Sequence, residues 1–369
     1  MKKCRLPLYA DFLITPFCNL ECSFCSAAAT KNKLSKIKVL TLDEIDNIFN
    51  QLDELEVLKI SLEGGDPFCR DDIIEIMHLA DKHDFNYYIN TNGTLIDEKK
   101  AKEISKTNVD KICISIDGPN AEVHDRSRGV KGTFKKVNNA IKYLKKYGVA
   151  IDGIITLSKI NKDYIIETLE YLKSLEIYNV AIMLLASVGN ADDNYDNTYL
   201  SFDELCEVIK ELTLMKVEGK MPVSLDIVST GESLCPWEIY LPLKHLGMEK
   251  YITEWKSEKF DTTLEDDEFG CTAGKDSLCI DGYGNVFGCS LMVSMHELIA
   301  GNTKRESLVD IWNNSHIFNE MRRNKLCSVE GPCSNCNLLH SCKSGCRACA
   351  YARTKKLNGS DMRCPLSNS

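Results

Sequence analysis

Residues 9–25 read Tyr9-Ala-Asp-Phe-Leu-Ile-Thr15-Pro-Phe-Cys18-Asn-Leu-Glu-Cys22-Ser-Phe-Cys25. A short apolar run rich in strand formers passes directly into a loop that carries three cysteines in a C-x3-C-x2-C spacing. The same alternation continues downstream. Thr41-Leu-Asp-Glu44 is a capping box, and Ile45, Ile48, Phe49 and Leu52 behind it keep helical spacing. Strands are predicted at Val57–Leu62, Phe85–Asn90, Val109–Ile116, Val149–Leu157 and Ile177–Leu185. Between them, Asp71–His83, Asp97–Lys106, Thr133–Tyr147 and Lys162–Leu175 read as helices. Strands alternating with helices imply an α/β fold whose parallel sheet has its helices outside. Periodicity alone leaves open whether that sheet is flat or curls into a partial barrel.

In such sheets the active site lies beyond the C-terminal ends of the strands. The polar and glycine-rich stretches fall there: the cysteine loop after strand one, Glu63-Gly-Gly-Asp-Pro67 after strand two, Asn90-Thr-Asn-Gly93 after strand three and Ser115-Ile-Asp-Gly118 after strand four. Farther on, Ser201-Phe-Asp-Glu204 opens another helix to about Lys216, and Gly231–Phe269 has no clear pattern. Three regions follow: 1–200 as the strand–helix domain, 201–269 as a connecting helix and linker, and 270–369 as a cysteine-rich domain.

Of 18 cysteines in 369 residues, ten lie from Cys271 onward. No export signal or long apolar stretch is present, so a secreted disulfide scaffold and a membrane span are both disfavoured and a cytoplasmic location is expected. With 45 basic against 54 acidic residues, nucleic acid is not the expected partner. Metal or cluster ligation is the better account of the thiols. Three closely spaced thiolates suit an iron–sulfur cluster, whereas structural zinc usually takes four ligands and no fourth Cys or His is local. The C-terminal series is Cys271-x12-Gly284-x4-Cys289, then Cys333-x2-Cys336-x5-Cys342-x3-Cys346 and Cys364. Leu278–Ile280 and Asn285–Phe287 form a predicted hairpin that would set Cys289 at its base. These residues imply one or two metal centres; tetrahedral zinc would account for four cysteines but sits less well with seven.

Cys18, Cys22 and Cys25, with Phe24 before the last, resemble the signature of the radical S-adenosylmethionine (SAM) enzymes. In that family three cysteines hold a 4Fe–4S cluster, SAM chelates its fourth iron, and reductive cleavage yields a 5′-deoxyadenosyl radical. Gly64, Gly65 and Asp66 resemble the Gly-Gly-Glu-Pro motif that meets the SAM amino group, with Asp in place of the commoner Glu. Asn92 sits in the turn after strand three, and Ser115 and Asp117 resemble the polar strand-four residues near SAM. Arg128, four positions after His124, resembles the arginine that pairs the SAM carboxylate; His124 itself reads as structural.

The C-terminal series is similar to the SPASM extension of these enzymes, which carries two auxiliary clusters. The resemblance implies a partial (β/α)6 TIM-like barrel followed by a hairpin-based SPASM domain, with SAM and three 4Fe–4S clusters as cofactors. Carried over by position, Cys333, Cys336, Cys342 and Cys364 would hold the outer auxiliary cluster and Cys271, Cys289 and Cys346 the inner one. The inner cluster's fourth ligand is Cys235, Cys279 or an open iron. Cys4, Cys69, Cys113, Cys206, Cys327 and Cys349 have no slot. Relatives with this layout oxidise peptides or proteins, so the expected activity is thioether or C–C crosslinking of a ribosomally made peptide.

The expected partners are that peptide, an external electron donor such as flavodoxin or ferredoxin, and a separate leader-peptide-binding protein, because few residues precede strand one. A sulfatase-maturing (formylglycine-forming) enzyme and a small-molecule dehydrogenase are the alternatives. Ser290 stands where the former has a proton-accepting Asp. The rival from another class, a non-catalytic electron carrier, would have no use for the glycine-rich SAM motif.

Overall fold

The computed structural model describes residues 5–29, 38–228, 237–255 and 265–367. Six parallel strands follow the predicted order: β1 (Tyr9–Thr15), β2 (Lys59–Gly64), β3 (Asn86–Thr91), β4 (Lys111–Ser115), β5 (Ile151–Thr156) and β6 (Asn179–Met183). Between them run α1 (Leu42–Glu54), α2 (Ile73–Lys82), α3 (Glu98–Ile104), α4 (Ala121–Arg128), α5 (Thr133–Lys146) and α6 (Ile165–Ser174). The Thr41–Glu44 capping box closes on both sides at the start of α1, and Ile45, Ile48, Phe49 and Leu52 are its buried stripe. Phe49 meets Phe12 of β1 edge to face at 5.9 Å.

The strands are two-faced. Ala10, Phe12 and Ile14 of β1, Ile60 and Leu62 of β2, and Ile112 and Ile114 of β4 are buried against the helices. The alternate positions Tyr9, Asp11, Glu63, Asn90, Ser115 and Thr156 line a cavity on the other side. A period of two thus separates an aliphatic core under the helices from a polar inner wall. The fold is a partial TIM-like barrel.

Two extensions lengthen the sheet. The stretch 201–269, expected to be a connection, contributes a seventh strand, β7 (Ser224–Val228), which pairs in parallel with β6. The helix before it, Phe202–Val217, has the predicted Ser201–Glu204 box. At the other edge, β8 (Ser277–Asp281) pairs in parallel with β1, and β9 (Asn285–Phe287) completes the expected hairpin. A short β10 (Gly301–Asn302) gives the order β10-β9-β8-β1-β2-β3-β4-β5-β6-β7. The cysteine-rich region is therefore continuous with the barrel sheet. Among the described residues, no helix is long and apolar enough to cross a membrane.

Candidate active site

The loop after β1 is gripped from three sides. At the end of β2, the Gly65 and Asp66 amides donate to the Thr15 and Phe17 carbonyls, both at 2.8 Å. A Cβ on Gly65 would lie 2.3 Å from the Phe17 carbonyl oxygen, so only glycine permits this approach. At the end of α4, the Glu21 amide donates to the Arg128 carbonyl, and a Cβ on Gly129 would lie 2.4 Å from the Glu21 oxygen. After β6, the Asn190 amide donates to the Cys25 carbonyl at 2.9 Å. Held this way, Cys18, Cys22 and Cys25 are half-buried and face one cavity of about 460 Å³.

Most of the residues matched to SAM line that cavity: Phe24, Gly64, Gly65, Asn92, Ser115 and Arg128. Asp66 and Asp117 do not. The Asp66 carboxylate is buried and accepts from the Phe68 amide, the Thr91 hydroxyl and the Asn92 amide at 3.0, 2.8 and 2.8 Å. Its oxygens accept from three donors of the neighbouring turns, so the carboxylate braces the end of β2 against the end of β3. Asp117 is likewise buried. It accepts from Ser127 Oγ at 2.6 Å, the Thr156 amide at 2.9 Å and Arg128 Nη2 at 2.7 Å.

Asp117 therefore aims Arg128. Burial works against the guanidinium's charge, but the Asp117 carboxylate outweighs it and keeps Arg128 charged. The group lies over the Phe24 ring at 5.4 Å, and its Nε is buried without a partner. An orphaned guanidinium N–H on the wall of a cavity is suited to a carboxylate guest. His124 accepts from the Asp117 amide and is buried; burial first, then Arg128, holds it down to about 4, so it stays neutral.

The same cavity reaches the C-terminal region. Cys271, Cys289 and Cys346 also line it, with Ser290 and Leu291. The helix Arg347–Thr354 starts immediately after Cys346, whose amide donates to Asp361 Oδ2 at 3.1 Å. Cys279 is fully buried within β8 and does not line the cavity. Cys235 lies outside the described residues. Cys349, which had no role in the sequence reading, is buried with its thiol hydrogen-bonded to Cys346; the Cys346-x2-Cys349 spacing was the available signal.

Cys333, Cys336, Cys342 and Cys364 converge elsewhere, on a small cavity walled by Trp237, Tyr240, Leu241 and other apolar side chains. Among the described residues no group of three or more His, Cys, Asp or Glu side chains is set to hold a single metal ion. Burial pushes Cys18, Cys342 and Cys364 up to about 12 and Cys22 to about 11. Unpaired thiolates would be costly at these positions. The donor sets suit a cationic polynuclear centre that takes the sulfurs deprotonated.

Two further residues on the wall escaped the sequence reading. Asp11 projects from mid-β1 and accepts from Ser61 Oγ at 2.8 Å, with Ser290 also hydrogen-bonded to it. Glu63 accepts from Asn90 Nδ2 at 2.6 Å. The inward phase of β1 was the only signal for Asp11, whereas Glu63 opens the Glu63-Gly-Gly-Asp-Pro67 stretch and was given no role of its own there.

Residues 12–172 match the Radical SAM superfamily model, and residues 271–337 match the iron-sulfur cluster-binding SPASM domain. The chain is a radical SAM enzyme with a SPASM extension. It is 26% identical to an AdoMet-dependent heme synthase of Methanosarcina barkeri over 92% of this chain and 91% of that one. It is 24% identical to the mycofactocin maturase MftC of Mycobacterium tuberculosis, over 98% and 84%. Among solved structures it resembles Streptococcus suis SuiB bound to its precursor peptide SuiA, with a TM-score of 0.76, 16% identity and coverage of 99% and 76%. It also resembles anSMEcpe with bound AdoMet and Cp18Cys peptide, with a TM-score of 0.69, 20% identity and coverage of 98% and 95%. Membership implies SAM and iron–sulfur clusters, and the residues present fit both: a carboxylate-seeking Arg128 beside three cavity-facing thiols, and seven further cysteines gathered in two places.

Proposed function

We propose that this enzyme oxidises a ribosomally made peptide, installing a thioether or C–C crosslink. The observation that carries the reading is the single cavity lined both by Cys18, Cys22 and Cys25 and by Cys271, Cys289 and Cys346. Such a modification removes a hydrogen atom and then a second electron and a proton from the substrate, and two sets of thiols on one cavity support a centre for each electron loss. In this reading Cys18, Cys22 and Cys25 hold the SAM cluster. Cys271, Cys289 and Cys346 hold an inner auxiliary cluster, and Cys333, Cys336, Cys342 and Cys364 an outer one, making three. Bound SAM supplies a 5′-deoxyadenosyl radical.

The chain's own residues bind and orient. Arg128, aimed by Asp117, takes the SAM carboxylate; Gly64 and Gly65 leave room for its methionine end; and Phe24, Asn92 and Ser115 complete the wall. Met183, Leu184, Leu185 and Leu291 keep the space between the two cysteine sets apolar. Peptide as substrate draws support from the mycofactocin maturases, a PqqA peptide cyclase that is 22% identical over 98% of this chain, and the two peptide-bound structures. An external electron donor, a separate leader-binding protein and a cytoplasmic location complete the proposal.

Likeness to the AdoMet-dependent heme synthases gives a small-molecule reading some footing. Asp11 and Glu63 on the wall speak against a guest that brings carboxylates of its own. The test is an anaerobic assay of the cluster-loaded chain with SAM, a reductant and precursor peptides encoded beside it, read by mass spectrometry. Loss of two hydrogen atoms from one peptide, matched by 5′-deoxyadenosine, is the expected result. Turnover of a porphyrin carboxylate while no peptide changes would overturn it.

A further inference from the structure

Among the described residues, Asp117 is paired with Arg128, and Asp361 and Glu238 with Arg363. Asp66 accepts from three donors. Asp11 and Glu63, on the cavity wall, are held differently. Their hydrogen-bond donors are neutral, the side chains of Ser61, Ser290 and Asn90 and the Ser290 backbone amide, and among the described residues neither carboxylate has a cationic partner. Both line the active-site cavity, as do Cys18, Cys22, Cys25 and Cys289. A third acceptor joins them: Asn90 donates to Glu63 through Nδ2, and its Oδ1 is buried with no partner at all. Three acceptor groups therefore line one space with only neutral donors beside them. Each carboxylate works against the other's charge, and a proton or a cation shared between them relieves the conflict.

We propose that Asp11, Glu63 and Asn90 are specificity determinants that receive a cationic N–H donor of the substrate, a lysine ammonium or an arginine guanidinium close to the residue being modified. The inference rests on the cavity being the substrate's, as in the peptide reading, and adds the chemistry of the guest. Either group presents several donors to the carboxylate oxygens and Asn90 Oδ1, and its charge removes the conflict between the two acids. A neutral side chain leaves the conflict standing, and an acidic one worsens it. Burial raises both carboxyls, Glu63 to about 8 with Asp11 adding to the effect, as expected of acids held ready for an opposite charge that the protein itself does not provide.

The test uses the full, cluster-loaded chain and three hexapeptide probes, identical apart from a lysine, norleucine or glutamate beside a cysteine. Binding is measured by anaerobic equilibrium dialysis. The lysine probe is expected to bind wild type about tenfold more tightly than its norleucine twin, with the glutamate probe weakest. In the Asp11→Asn, Glu63→Gln double variant the lysine and norleucine probes should come within about twofold. Equal binding of those two probes by wild type would overturn the proposal, as would a lysine advantage that survives the double substitution. In the first case the pair holds a proton and not a cation. If the double variant does not fold, Glu63→Gln alone, which keeps the shape and the Asn90 contact, should lose part of the advantage; an undiminished advantage counts against the proposal. Dialysis reads binding whether or not the probe is oxidised. A lysine advantage without any peptide product would therefore sink the peptide function and leave this inference standing, and the converse result would do the reverse.

Discussion

Cys18, Cys22 and Cys25 fall within one loop, yet that loop is held by the end of β2, the end of α4 and the segment after β6, all distant in sequence. Cys333, Cys336, Cys342 and Cys364 are spread along the C-terminal segment on short turns and helices, and their surroundings are mostly their own neighbours and the helix Trp237–His245. In the assignment proposed above, the first set of ligands lies on a loop braced by the barrel, and the second on a segment of short turns and helices. A metal centre should therefore contribute chemistry at the first site and folding free energy at the second.

The sharpest way to break this contrast is to empty each site in turn. Changing Cys18, Cys22 and Cys25 together to Ala should remove one cluster, about four of roughly twelve irons if all three clusters are 4Fe–4S. It should abolish SAM cleavage and leave the melting transition close to wild type. Changing Cys333, Cys336, Cys342 and Cys364 should also remove one cluster, but lower stability by more than about 4 kcal/mol. A first variant that still makes 5′-deoxyadenosine, or a second that melts like wild type, contradicts the comparison.

Next in size is the effect of Arg128→Ala. Removal of a buried, charge-assisted contact should weaken SAM binding by about 2–5 kcal/mol with iron content intact. Asp66→Ala should behave differently. Its carboxylate braces Phe68, Thr91 and Asn92, so its loss should disturb the cysteine loop and reduce iron loading as well. Iron assay and SAM dialysis on the two variants separate a residue that meets the ligand from one that supports the loop.

The smallest effect concerns the inner wall. Burial, with Asp11 adding, raises the Glu63 carboxyl to about 8. An acid raised on folding favours the folded state fully below its unfolded value of about 4.3, and that contribution is lost as pH rises through the folded value. The stability of wild type relative to Glu63→Gln should therefore decline between about pH 4.5 and 8 and level off above it. Denaturant melts across that range check the sign; a flat difference would mean that Glu63 is solvated or already paired with a cation.

Much of this molecule is legible in the chain. Helical spacing and two capping boxes locate α1 and the helix Phe202–Val217, because local hydrogen bonds and a single buried stripe suffice to specify them. The β1 strand, Tyr9–Thr15, falls on the apolar run ahead of the cysteine loop, and Cys18 to Cys25 stand out because the spacing of thiols is a local property. β7 escaped notice for the opposite reason. Ser224–Val228 is short and ordinary, and only pairing with β6 makes it a strand.

The kinds of chemistry present were thus determined by the sequence: thiol sets, a glycine-rich turn, and an arginine placed after strand four. Their partnerships were decided by the tertiary structure. Pairing of β8 with β1 carries Cys289 and Ser290 to the cavity and sets Ser290 against Asp11, more than 270 residues away in the chain. The parallel sheet then points Asp11 and Glu63 inward together while it buries Ala10 and Phe12 under the helices. A strand's two faces are equivalent until a neighbour covers one, so only the packed sheet could tell a wall residue from a core residue.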